Sequence, residues 1–417
     1  MRILFISSYY PPHFIGGWEQ LVRDISEQFV ARGHTTHILT STHGVEQPEQ
    51  DEDVSRILHV DSDVFNYDPI RELKHKKMLD ENLKNTEKTI QRFKPDVIYV
   101  HLMYNLSHGV PWMCEQLMPD RVAYWIANDW PYAPDPHTAY WLDPAGNPVK
   151  RALKSLVGKI PLAGIKKEQE RFQLRFKHVM CVSQAVLDSL HKEAGIPHES
   201  LMVLNNGVET ELFKPVDFSD RPADELRVLY AGSVNVHKGV HTILEAFHHL
   251  NEQNKLKNMS LTIVGDGHPD YENRLKKYVA DHQLQEKVHF HGRVLRSQMH
   301  ELMREFNILA FPSVWEEPLS RMMQEGMSAG LTVVGTLTGG SGELLVEGET
   351  GLTFDKENHL QLANRLLELQ ADPELCQRLA DNGRAEILKR FSMERMIDNM
   401  EEQLTTIVAN SDPIFAN

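Results

Sequence analysis

Two glutamates eight residues apart, Glu317 and Glu325, sit in the run FPSVWEEPLSRMMQEGMSAGLTVVGT. Carboxylates at that separation can hold hydroxyls on different parts of one elongated ligand. A second group is Lys238, in GSVNVHKG after the strand-like RVLYA. A lysine at a helix N-terminus opposes the macrodipole unless an anion lies beside it, so Lys238 with the glycines around it reads as a phosphate-binding arrangement, although without Walker spacing. The elements follow from these positions. Leu309 to Pro312 ends a buried strand, Glu316 and Glu317 follow in a loop, and Ser320 caps a helix that carries Glu325 and stops near Gly330. Leu331 to Gly335 is the next strand. In an open parallel sheet such loops lie at the carboxyl ends of the strands, where ligands bind. The same residues also suit a solvated acidic loop beside a surface helix.

The run resembles the signature of the retaining family-four glycosyltransferases of the GT-B fold. That signature is Glu, Pro or a small residue, an aromatic or Leu, Gly or Ser, four residues, Glu, then Ala-Met-x-x-Gly and a PVVGT strand. Here it reads Glu317-Pro318-Leu319-Ser320, then Glu325-Gly326-Met327-Ser328-Ala329-Gly330 and LTVVGT. The resemblance implies that Glu317 holds hydroxyls of a donor sugar, that Glu325 holds the ribose, and that the amides around Ser320 to Met322 hold the outer phosphate. It extends to the first unit, PP-x-x-GG-x-E before a helix ending in Arg-Gly-His, whose glycines Gly16 and Gly17 would face the donor phosphates across a cleft once the domains close. The dinucleotide pattern GxGxxG is absent, which argues against a nicotinamide enzyme. Family members carry Arg after the first glycine of the lysine loop and His-Asp after a first-domain strand. This chain has Ser233 and Asn128 there, with Arg321 or another base as the substitute cation. An amide cannot exchange a proton near neutral pH, so Asn128 is expected to bind rather than to act as acid or base. Gly265 in Gly-Asp-Gly, and Arg293 and Val294 after Gly292, fall where the family surrounds the nucleotide base. Thr338 to Glu343 offers further backbone donors.

The chain has 417 residues, 41% of them hydrophobic and 25% charged, which suits a soluble protein of two domains. A net charge of −15 argues against general nucleic-acid binding. Three scattered cysteines, Cys114, Cys181 and Cys376, have no metal-ligand spacing and suggest a reducing compartment. Asp61-Ser62-Asp63 has the Asp-x-Asp spacing by which other sugar transferases hold a cation, but it follows a short strand in a polar region without further candidate ligands, so no metal is expected. MRILFIS reads directly as a strand rather than a leader, and no window of 18 apolar residues is present. The expectation is a cytoplasmic protein.

Strand, glycine turn, helix and strand at the start mark a doubly wound α/β domain. The expected organisation is GT-B: a Rossmann-like first domain over 1–205, a linker within Asn205 to Glu225, and a Rossmann-like nucleotide-sugar domain over 206–390. Leu360 to Arg390 is expected to be helical, and a last helix, about 391–409, crosses back to the first domain. His101, at the end of DVIYVH, would either reach the cleft or pack by hydrogen bonds. Pro148 to His178 carries nine Lys or Arg against two Glu among apolar residues, and would serve the acceptor side or meet anionic lipid as a peripheral contact. The expected activity is hexosyl transfer with retention, without metal or other cofactor, from a UDP- or GDP-sugar to a hydroxyl of a sugar, polysaccharide or lipid-linked acceptor. A nucleotide-sugar-binding module and a sugar-nucleotide 2-epimerase are the alternatives.

Overall fold

The computed structural model describes residues 1–13, 17–60, 74–133, 136–142, 158–215, 225–412 and 414–415. Gly16, Asp61 to Asp63, the first ten residues of the basic segment and the middle of the expected linker lie outside them. The described residues divide into two units. The first comprises Met1–Val182, Leu187–Leu204 and Ile397–Asn417; the second comprises Ser183–Val186 and Asn205–Met396.

In the first unit the strands are β1 (Arg2–Ser7), β2 (Thr35–Ser41), β3 (Glu49–Gln50), β4 (Val54–Leu58), β5 (Val97–Leu102), β6 (Val122–Ile126), β7 (His178–Cys181) and β8 (Leu201–Val203). They form one sheet in the order β3-β4-β2-β1-β5-β6-β7-β8, parallel except for β3 against β4. The central strands are mostly apolar, and β5 is buried at every residue, as a parallel sheet covered on both faces requires. The helices are α1 (Gly17–Ala31), α2 (His75–Phe93), α3 (Gly109–Leu117), α4 (Pro136–Leu142), α5 (Lys159–Arg171) and α6 (Gln184–Ala194).

The second unit holds β9 (Leu226–Ala231), β10 (Met259–Val264), β11 (Val288–Gly292), β12 (Ile308–Phe311), β13 (Thr332–Gly335) and β14 (Gly351–Thr353). Its helices are α7 (Val240–Glu252), α8 (Pro269–Asp281), α9 (Arg296–Met303), α10 (Arg321–Ser328), α11 (His359–Ala371) and α12 (Pro373–Arg390). Its sheet runs β11-β10-β9-β12-β13-β14, all parallel. Val228, Ile243, Phe247, Leu261, Ile308 and Leu366 belong to one buried cluster between strands and helices. The strand order reverses at β9 and β12, so the loops that leave these two strands diverge and open a crevice at their carboxyl ends.

The helical stretch expected over Leu360 to Arg390 is two helices, α11 and α12. Asp372 ends α11 and caps α12 by accepting the Leu375 amide at 2.9 Å, with Pro373 at the first helical position. Asp372→Ala should therefore lower stability by about 1 kcal/mol, read as a shift in urea midpoint without a change in slope.

The final helix, α13 (Met393–Ala409), joins the first unit from Ile397 onward. Arg32 bonds Asp398 and Glu401 at 2.7 Å, His34 bonds Glu401 at 2.8 Å, and the Tyr99 hydroxyl lies 3.6 Å from the Met400 sulfur. These contacts are the return to the first domain that the sequence implies. No helix among the described residues is long and apolar enough to cross a membrane.

Candidate active site

The crevice of the second unit is built by loops that lock one another. After β9 the chain turns through Gly232 and Ser233, makes a single 3-10 turn at Val236–Lys238, and enters α7 through Gly239. Gly239 has φ of 70° and lies so close to the Pro312 carbonyl that a β-carbon would overlap it. Alanine there meets both the left-handed backbone, which costs about 1–2 kcal/mol, and that carbonyl. Gly239→Ala should lower the melting temperature and displace Lys238. The Val314 and Trp315 amides donate to the His237 carbonyl at 3.0 and 3.2 Å, which ties the lysine loop to the acidic loop.

The Lys238 Nζ donates to Glu317 Oε1 at 2.5 Å, and Ser313 Oγ donates to the same oxygen at 2.7 Å. Lys238 is a quarter exposed and the Glu317 side chain 11% exposed, so the pair is partly desolvated and still reachable. Among the described residues nothing hydrogen-bonds Glu317 Oε2. The centre therefore offers a cation for a phosphate and a carboxylate oxygen for a hydroxyl. Lys238 and Glu317, far apart in sequence, are the expected residues that the fold brings into contact.

The Gly339 amide donates to Glu316 Oε2 and the Gly340 amide to the Glu317 carbonyl, both at 2.7 Å, while Lys356 bonds Glu316 Oε1 at 2.5 Å. This corrects the expectation that Thr338 to Glu343 would offer its amides to a ligand: two of them are used to pin the acidic loop. Lys356 beside it holds the Glu316 carboxyl below the usual range.

Ser320 caps α10 as expected, its Oγ accepting the Met323 amide at 3.2 Å. The opening turn at Arg321 and Met322 is where a helix leaves amides without intrahelical partners. Pro318 lies under Gly340, and Leu319 is buried beneath the turn. Ser233 is exposed, and its carbonyl accepts the Tyr230 hydroxyl at 2.7 Å, which fixes the loop. Gly265, with φ of 129°, packs against the Gly232 carbonyl, and its amide donates to Gly292 at 2.9 Å, so the loops after β9, β10 and β11 stack in order. Arg293 is exposed and Val294 half-buried just beyond.

Glu325 is 4% exposed, and burial raises its carboxyl above the ordinary range against the pull of Arg321 and Arg296. Its Oε1 lies 3.6 Å from Arg296 Nε and 3.9 Å from Arg321 Nη2. Glu209 completes the group, bonded by both oxygens to Arg296 at 2.8 Å and lying 3.5 Å from Arg321. Sequence reasoning missed Arg296, Glu209 and Ser313. Ser313 stands four residues before Glu317 and was open to inference; Arg296 and Glu209 meet only through folding and carry no local signal.

In the first unit, Gly17 opens α1, with open space where a β-carbon would stand. Asn128 follows β6 with its Oδ1 buried and without a hydrogen-bond partner among the described residues. His101 is 4% exposed and packs between Trp18 and Trp125, with ring centroids 6.4 and 5.0 Å away. Among the described residues neither of its nitrogens has a hydrogen-bond partner, and burial pushes its pKa down to about 3, which keeps it neutral. The packing expected of His101 is seen in these ring contacts, while the hydrogen bonds expected with it are not found among the described residues. The described part of the basic segment, α5, exposes Lys166 and Lys167, while Glu168 bonds His75 at 2.6 Å and Ser107 at 2.8 Å. Among the described residues no three His, Cys, Asp or Glu side chains converge as a metal site would need.

Comparison with known proteins gives two family matches. Residues 15–212 match Glycosyltransferase Family 4, and residues 216–386 match Glycosyl transferases group 1. The chain is 27% identical over 220 residues to an uncharacterized glycosyltransferase, MJ1178, of Methanocaldococcus jannaschii, covering 52% of this chain and 56% of that protein. It is 25% identical over 229 residues to the lipopolysaccharide 1,2-N-acetylglucosaminetransferase of Salmonella typhimurium, covering 51% and 58%. The chain thus spans somewhat more than half the length of these curated relatives. Among solved structures, a glycosyltransferase from Rickettsia africae superimposes with a TM-score of 0.72 at 19% identity, covering 98% of this chain and 99% of the other. Anabaena HepE, in complex with UDP-glucose, gives 0.64 at 19% identity, covering 97% and 100%. At these identities the structural likeness speaks for the fold.

Proposed function

We propose, for a chain that belongs to the group 1 and family 4 glycosyltransferases of the GT-B fold, that the Lys238–Glu317 centre binds a nucleotide diphosphate sugar and transfers its hexose, with retention, to a hydroxyl acceptor. The observation that carries this reading is the contact itself: a lysine at a helix N-terminus bonded to a half-committed carboxylate, at the sheet's topological switch point. Lys238 binds the diphosphate, the opening amides of α10 bind its outer phosphate, and Glu317 Oε2 takes sugar hydroxyls. Glu325 faces the ribose from within its arginine cluster. Ser233, Gly265, Arg293 and Val294 border the nucleotide, and Arg321 and Arg296 supply the cations that Ser233 does not.

In the reaction the bond from the anomeric carbon to the diphosphate oxygen breaks, and its electron pair leaves with the diphosphate. The acceptor oxygen forms the new bond on the same face, and its proton passes to the departing diphosphate. Negative charge grows on the leaving group, so fixed donors there do most for the rate. Lys238 and the α10 amides fill that role, which supports a reaction without metal.

The donor is a UDP- or GDP-sugar and the acceptor a sugar, polysaccharide or lipid-linked hydroxyl. HepE bound to UDP-glucose and a relative named for lipopolysaccharide synthesis favour that class. A cytoplasmic setting, with peripheral contact of residues 148–178 on anionic lipid, completes the proposal; the three buried free cysteines and the exposed lysines of α5 favour it. Proton NMR of the first-formed product tests the stereochemistry: an α-linked donor should give an α-linked product, and a β product would refute retention.

A further inference from the structure

Three adjoining loops carry the polar centre, and each also exposes an apolar side chain. Val236, two residues before Lys238, is 55% exposed; Trp315, two before Glu317, is 52% exposed; Leu337, two before the Gly339 that bonds Glu316, is 54% exposed. These three stand on the loops that carry Lys238, Glu317 and the Gly339 amide that holds Glu316. Trp315 is the central one. Its amide donates to the His237 carbonyl at 3.2 Å, and the His237 ring stands edge-on to the indole with centroids 6.0 Å apart. Burial and the neighbouring Lys238 lower the His237 pKa against the pull of Glu317. The indole is thereby held at one edge while half its surface stays open, on the same loop and two residues before Glu317.

A hexose ring has two chemistries: hydroxyls around its rim and a face of C–H groups. A carboxylate suits the rim and an aromatic plane suits the face. We infer that Trp315, held by His237, is the stacking wall for the hexose whose hydroxyls bond Glu317, and that it sets how much the sugar adds to nucleotide affinity. This rests on the donor-site reading above, and assigns within it a specificity-determining residue outside the glutamate signature.

The test measures binding calorimetrically on the full chain, with UDP, UDP-glucose, UDP-galactose, UDP-N-acetylglucosamine, GDP and GDP-mannose, for wild type, Trp315→Ala and Trp315→Phe. Because Trp315 is exposed, circular dichroism should be unchanged in both variants. For the preferred nucleotide, affinity for the bare diphosphate should be the same in all three proteins. Affinity for the matching sugar nucleotide should fall about tenfold in Trp315→Ala, the order of one aromatic contact with the apolar area it covers, and return largely in Trp315→Phe. Equal losses for diphosphate and sugar nucleotide, or no loss for either, would overturn the stacking wall while leaving the donor site standing. Failure of the wild type to bind any of the six would overturn the donor site and the wall together.

Discussion

Lys238→Ala should lower kcat by about 100- to 1,000-fold, the usual cost of losing one fixed donor to the charge that builds on a leaving group. Folding should persist, because Lys238 is a quarter exposed and its backbone turn is held by the Asn235 carbonyl and by the loop contacts of His237. The substitution also frees Glu317 from its cation, although Ser313 still bonds the same oxygen. KM for the donor should rise less than kcat falls, since the charge that Lys238 meets is larger in the transition state than in the bound substrate. Steady-state kinetics with the donor varied separates the two, and a variant with wild-type kcat would remove Lys238 from the mechanism.

Glu317→Ala is the second large effect. A site built to hold a hydroxyl loses both the substrate bond and the balance of its own buried groups when the acceptor is removed. Here Lys238 and Ser313 would both lose their partner. The expected fall in kcat/KM is again on the order of 100- to 1,000-fold. Glu317→Gln keeps the shape and one acceptor oxygen, so it should lose less. The Lys238→Ala and Glu317→Ala effects should not add, because the residues act as one hydrogen-bonded unit. A double variant with the product of the two losses would mean that the contact in the structure is not the working one.

Much of this was legible in the chain because local rules applied. Ser320 is a serine placed to cap a helix, and it caps one. Alternating strands and helices gave the two parallel sheets, and the glycine loops fell at strand ends because only there does the backbone reverse so tightly. What local rules cannot supply is pairing. Nothing near Arg296 points to Glu209, and the cluster of these two with Arg321 and Glu325 exists only once α9, α10 and the Glu209 loop are packed. The glycines at 339 and 340 failed as ligand donors for the same reason: an amide looks free in a sequence until a carboxylate or carbonyl from another loop claims it. The break between α11 and α12 is local too: Asp372 caps the second helix and Pro373 opens it.

The central claim is that Glu317 with Lys238 forms a donor site for a nucleotide sugar. Its most direct test is nucleotide release from UDP-, GDP- and ADP-sugars, without acceptor and with chelator present, by wild type and by Glu317→Ala. The account predicts slow hydrolysis of one donor by the wild type, reduced at least about 100-fold in the variant. Equal release by the two proteins would contradict it.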